Sequence, residues 1–336
     1  MENIEKFKTH LSAIGDSIRA KTGKAEKIPF NKLAEEIDAI SVGGETDPGD
    51  AYIEGTSTVY ENPRVTSVGS YMFQFNSRIT AAVFQNAQTV GSYAFNRCYG
   101  LSHISLPAAT TLLQYAFAQC TNLTTAIFPS VVQLGEFAFS GCTSLATASF
   151  PEVTELKANA FAGCTKLTTV NLPKATTFGT YVFNGCQSLE EASFEAVTTI
   201  GSCAFQGCSK LTTVNFPEVT LIESSAFNNC YALVNTSFPE VSRIASSTFR
   251  NCTALSTISF PKVTRIGNYA FGDCQTLNEI YLMGSTVCYV DAATAVFYNT
   301  AITSTTGVIY VPASLVDAYK SATNWAYFSA IIKAGD

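Results

Sequence analysis

Eleven cysteines and two histidines are the residues of this 336-residue chain best able to carry chemistry. Thiolates two to four residues apart would hold zinc, a thiol beside histidine and carboxylate would make a nucleophile, and paired cysteines would cross-link a small exported domain. The spacing supports none of these. Nine of the eleven, Cys98, Cys120, Cys142, Cys164, Cys186, Cys208, Cys230, Cys252 and Cys274, stand 22 residues apart. Stacked at one strand spacing they would come within disulfide reach, yet an odd column cannot pair completely. They read instead as buried free thiols packing as small apolar groups. Cys203 and Cys288 lie outside the column and are expected to be the exposed thiols. His10 and His103 have no nucleophile and carboxylate at a predictable spacing, so no triad or metal site is indicated. The glycines Gly91, Gly135, Gly201 and Gly267 recur with the same period and serve backbone geometry, not a phosphate loop. No catalytic, cofactor or metal residue is assigned, and the expectation is a protein that is not an enzyme.

The element that positions these residues is a repeat. Phenylalanine stands at Phe73, Phe95, Phe117, Phe139, Phe161, Phe183, Phe205, Phe227, Phe249 and Phe271, each 22 residues after the last. Cysteine follows three residues later, with Asn76 in its place in the first unit, and six later comes a leucine column from Leu101 to Leu277 led by Ile79. Further on come a small or branched apolar residue, then Phe or Leu, then usually proline, as in Val170, Leu172 and Pro173. A second apolar set such as Val219 with Ile222 precedes a frequent glycine and the Ala-Phe of the next unit.

Thr169-Val170-Asn171-Leu172 alternates polar and apolar, the period of a strand with one buried face, and proline ends it for want of an N–H. The Val-x-x-Ile-Gly side fits a turn, a second short strand or a helical turn. A unit of 22 residues cannot bury its own Phe and Leu, whereas units stacked in register join those positions into continuous ladders. The fold class is therefore a repeat solenoid of ten units with short parallel strands.

With these columns the unit resembles the BspA-like leucine-rich repeat of bacterial and protist surface proteins, over about residues 56 to 311. The resemblance implies a right-handed, curved coil with parallel strands along one face, and roles in adhesion and in binding host or matrix proteins at a cell surface. It carries no catalytic residues to transfer.

Residues 1–40 lack the repeat columns. Ile4, Phe7, Leu11, Ile14 and Ile18 recur at helical spacing, and Leu33, Ile37 and Ile40 follow Pro29, so a helical hairpin is expected. Too small for a core of its own, it should dock on the solenoid, self-associate or bind a partner. Its Ile14-to-Gly23 run resembles prophage tail-associated proteins, which implies a phage-derived particle as the alternative location. Residues 41–55 have linker composition, 56–286 form the solenoid, and 287–336 a C-terminal cap. In the cap Ser314 with Asp317 offers a capping box, and Trp325, Tyr327 and Phe328 are expected to cover the last coil.

Charged residues make up only 14% of the chain and the net charge is -6, which excludes an electrostatic grip on nucleic acid. No apolar run reaches the length of a signal peptide or a bilayer span, so no membrane insertion is expected. Two surfaces remain for recognition. Two residues before the repeat Phe stand Tyr71, Tyr93, Tyr115, Phe137, Tyr181 and Tyr269, interrupted by Asn159, Cys203, Ser225 and Ser247. Such a stripe offers wide apolar contact with polar tips to a protein or glycan; alternatively the rings only shield the Phe ladder. The strand face is mostly Thr, Ser and Asn, with His103, Glu191, Glu279 and Tyr281 as its distinctive members. The expectation is a non-enzymatic recognition or adhesion solenoid for a protein or surface glycan. The alternative is a structural spacer or phage-tail-associated component with no ligand of its own on the solenoid.

Overall fold

The computed structural model describes residues 58–290, 292–303 and 307–335. The helical hairpin over 1–40 and the linker over 41–55 lie outside the described residues. What is described is a parallel β-solenoid.

Each turn has three sides. The first is a short strand such as Thr125–Ile127, paired in parallel with Thr147–Ser149 so that Ala126 faces Ala148, one repeat away. The middle residue points inward and is buried, and its neighbours face solvent. A second, two-residue strand fills the Val-x-x-Ile side: Glu155–Leu156 pairs with Thr177–Phe178, and Leu156 and Phe178 are buried. Of the three conformations open for this side, the strand is the one formed. First-side strands group into four sheets of three, the last extended to four strands by Ile332–Gly335, and second-side strands into sheets of four and seven.

The third side runs through the Ala-Phe segment as overlapping β-turns. Ala94, Asn96 and Cys98 donate to carbonyls three residues back, at 3.2, 3.1 and 3.1 Å. Tyr93, Phe95 and Arg97 donate to the next turn, at Gln114, Ala116 and Ala118, at 3.0, 2.8 and 2.8 Å. Alternate N–H groups thus serve the turn and the stack, and none in this run is stranded. This pattern needs left-handed backbone at the third position of every second β-turn, and Tyr93 and Arg97 both have φ 60°.

The Phe column fills the interior as a stack: Phe95–Phe117 and Phe117–Phe139 have centroids 5.1 and 5.2 Å apart and planes within 8°. A second ladder, Phe128 to Phe150 at 5.4 Å, packs against it. Where Phe178 replaces the usual branched residue of the second strand, its ring stands edge-on to Phe194 at 4.9 Å. Burial of each such ring or leucine stabilises the stack by about 2 kcal/mol.

Among the described residues twelve first-side strands, from Val59–Glu61 to Val308–Pro312, replace the ten units that the Phe spacing suggested. The leading turn has no repeat Phe, and Tyr60 packs instead on Phe73 at 4.9 Å. At the other end Phe297 stacks on Phe271 at 5.8 Å. Pairing of Arg265 with Tyr289 and of Glu279 with Val308 stretches the spacing from 22 to 24 and 29 residues, which hides these turns from a fixed period.

The chain closes with a helix Val316–Ser321, a 3-10 helix Thr323–Phe328 and a strand Ile332–Gly335 parallel to Val308–Pro312. The Ser314–Asp317 capping box does not form: a 3-10 turn over Ala313–Leu315 comes first, which makes Leu315 the N-cap, without a side-chain bond. Trp325 and Phe328 cover Phe297 at 6.2 and 5.7 Å, whereas Tyr327 is 69% exposed and lies edge-on to Phe328.

Candidate functional site

The tyrosine column occupies the left-handed position of the third side, with φ between 55° and 63° at Tyr71, Tyr93, Tyr115 and Phe137. Bulky residues are rare in that conformation. Here the stack's hydrogen bonds hold the backbone, and the side chains leave it outward. Tyr71–Tyr93, Tyr93–Tyr115 and Tyr115–Phe137 have centroids 5.1, 4.6 and 4.5 Å apart, with planes within 8°. The ring faces cover one another, so the edges and hydroxyls meet solvent. Tyr71 is 56% exposed and the other three are half-buried. Partial desolvation, with Tyr93 and Glu136 alongside, raises the Tyr115 hydroxyl pKa.

Asn159 ends the stack, so the six-residue stripe comes together over four turns only. Tyr181 stands apart, its hydroxyl pKa raised chiefly by hydrogen bonding to the Cys203 thiol. Tyr269 meets Tyr298 at 6.0 Å and carries the Arg250 guanidinium 5.5 Å from its ring centroid. Three further residues widen the first part of the edge. Phe75 is exposed with Arg97 5.4 Å over its ring, and Tyr99 is exposed in the next unit. Their signal was present two and four residues after the repeat Phe, where later units carry mostly small or polar residues such as Gly141 and Thr143.

The cysteine column is built into the fold. Each of its thiols donates to the carbonyl of the preceding turn's repeat Phe, as Cys142 does to Phe117 at 3.1 Å and Cys164 to Phe139 at 3.2 Å. Burial pushes the thiols of Cys98, Cys142 and Cys208 up to about 12, which keeps them protonated. Cys203 is half-exposed. Cys288, expected to be exposed, is buried: its N–H donates to the Tyr319 hydroxyl and its carbonyl accepts the Trp325 indole N–H, both at 2.8 Å. Among the described residues no cluster of three His, Cys, Asp or Glu side chains is placed to hold a metal ion.

With the columns and their geometry assigned, comparison with known proteins decides the family. The BspA-type leucine-rich repeat region matches residues 66–190 and 176–303. The chain belongs to the BspA-type leucine-rich repeat family. Similar solved structures include a leucine-rich repeat protein from Bacteroides ovatus at 19% identity, covering 82% of this chain and 91% of that one with a TM-score of 0.44. A leucine-rich cell surface protein from Faecalibacterium prausnitzii is 20% identical over 84% of this chain and 92% of its own, with a TM-score of 0.41. The pneumococcal vaccine antigen PcpA is 15% identical over 83% and 89%, with a TM-score of 0.42. No curated protein matches the chain.

On the strand face of this BspA-type solenoid the candidates divide. Tyr281 donates to Glu279 Oε2 at 3.3 Å and stacks on Tyr310 at 4.5 Å, and desolvation, with Glu279 and Tyr310 beside it, raises its pKa. Half-buried His103 has its Nδ1 2.8 Å from Ser102 Oγ, and exposed Glu191 lies midway between the two places. Strands His103–Ser105, Glu191–Ser193 and Glu279–Leu282 are four turns apart, so the structure does not gather these residues into one site.

Proposed function

We propose that this BspA-type chain is a non-enzymatic recognition scaffold whose edge of Tyr71, Tyr93, Tyr115 and Phe137 binds a protein or glycan at a surface. The observation that carries it is the four-ring stack with its edges exposed. Rings already ordered by their neighbours lose little entropy on binding, and tyrosine joins apolar area to a hydroxyl, the composition that interface cores favour. The residues best suited to chemistry serve the stack instead, the nine column thiols as hydrogen-bond donors to backbone.

The strand face favours a second role, that of spacer. Its polar groups bond along the stack, as Asn171 Nδ2 does to Ser149 Oγ at 3.0 Å, which leaves fewer of them for a ligand. Glu279, Tyr281 and Tyr310 form a smaller patch there, while His103 and Glu191 would act singly.

Glycan arrays and pull-downs from surface extracts with the full chain test the edge. Ligands held by the parent should weaken at least tenfold for the Tyr93→Ala, Tyr115→Ala double variant. If every ligand stays bound, the edge is not the site.

A further inference from the structure

On the second side of the solenoid, far along the chain from the tyrosine edge, two arginines are register partners on adjacent parallel strands, Arg243–Ile244 and Arg265–Ile266. Ile244 and Ile266 are buried, so both arginines face outward, and both are exposed. The row continues through Leu221 on one side and Tyr289 on the other, each a register partner and each exposed. At the same position earlier turns carry Ser67, Thr89, Thr111, Gln133, Glu155, Thr177 and Thr199, with no cation among them. The pair is therefore a local reversal in a chain of net charge -6.

Like charges placed side by side in a sheet oppose each other. Among the described residues no carboxylate relieves these two. The described ion pairs are Lys174–Glu152, Arg250–Asp273 and Lys262–Glu240. Arg265 is held 4.9 Å over the Tyr289 ring, which orients its planar fork. Two arginines on strands about 4.8 Å apart suit oxyanions that bridge them or follow one another along a chain.

We propose that the row Leu221, Arg243, Arg265 and Tyr289 binds an acidic polysaccharide. Its carboxylate or sulfate groups pair with the two arginines, and the apolar edge of a sugar ring lies against Tyr289 and Leu221. The linear order of apolar, cationic, cationic and aromatic groups matches a chain whose rings repeat at nearly the rung spacing and carry both charge and C–H faces. A duplex nucleic acid would call for many more phosphate contacts than two cations supply, and a lipid surface for a larger basic cluster.

Calorimetric titration of the full chain tests this with four probes: an oligogalacturonate, a heparin oligosaccharide, a neutral dextran oligosaccharide of equal length and a short DNA duplex. Binding is expected for the galacturonate or the heparin arm, which separates carboxylate from sulfate, and not for dextran. Arg243→Gln with Arg265→Gln should weaken it at least tenfold, and Tyr289→Ala about fivefold, with melting temperatures unchanged. The Tyr93→Ala, Tyr115→Ala variant should bind these probes as the parent does, so failure of the tyrosine edge and failure of this row are distinguishable. The proposal is overturned if neither acidic saccharide binds, if the double arginine variant binds as well as the parent, or if DNA binds as tightly and ignores Tyr289→Ala.

Discussion

The Cys142 thiol donates to the Phe117 carbonyl at 3.1 Å, and that carbonyl also accepts the Cys120 N–H at 3.2 Å. One oxygen therefore joins the closing bond of its own turn to a side chain from the next. Repeated along nine cysteines, this couples each buried ring position to its successor in the stack.

The donor role of the thiol separates two variants of nearly equal shape. Cys142→Thr keeps a donor, its hydroxyl, in place of the thiol that bonds the Phe117 carbonyl. Cys142→Val removes the donor and leaves the Phe117 oxygen with one partner. Thr should be the more stable by about 1 kcal/mol, the net worth of one such bond, in urea unfolding. A valine variant equal to or better than threonine would mean that the thiol only fills space.

Raised thiol pKa values set an alkaline limit. Burial lifts Cys98, Cys142, Cys208 and Cys288 from 9.0 to about 12 in the folded chain. The folded state holds these protons more tightly, so the contribution is intact below pH 9 and is lost as pH climbs from 9 towards 12. Across that window each buried thiol subtracts about 1.4 kcal/mol per pH unit. Melting temperature should therefore be level up to about pH 9 and fall steeply above it. A chromogenic disulfide added at pH 8 should meet one accessible thiol, half-exposed Cys203, and none after Cys203→Ser. Several reactive thiols in the native chain would contradict the burial argument.

The interior was legible because its columns are chemically strict: Phe, Cys and Leu recur at a fixed spacing, and only stacking buries them all. The second strand was not, because two residues such as Leu221 and Ile222 show no period. The third side was hidden for a different reason. Its left-handed positions carry tyrosine, arginine and glutamine as well as glycine and asparagine, so residue type does not announce the backbone. The leading turn escaped because it has no repeat Phe, although its strand pairs at the ordinary spacing of 22, and the closing turns fell outside the count of ten because insertions stretched the spacing to 24 and 29. Sequence spacing nominated Tyr93 and Tyr115 and marked the interruption at Asn159, but only the structure shows that the rings stack face to face. Arg243 and Arg265 belong to no motif, and register alone makes them neighbours.

Left-handed backbone gives the last test. Two residues after the repeat Phe stand Gly141, Gly163, Gly185 and Gly207, with φ from 70° to 75°, followed in later turns by Asn229, Asn251 and Asp273, all at 62°. Asparagine and aspartate tolerate this region, whereas a β-branched residue does not. A Cβ at Gly163 would lie 3.6 Å from the Gly141 Cα, an ordinary contact, so backbone preference and not crowding decides the outcome. Gly163→Asn should cost under about 1 kcal/mol and Gly163→Val about 2 kcal/mol or more, read from thermal unfolding. By the same reasoning Tyr115→Asn loses two stacked pairs, with Tyr93 and Phe137, but gains a better-suited residue, and should stay within about 2 kcal/mol of the parent. Equal losses for Asn and Val at Gly163 would show that space, not φ, governs this side of the solenoid.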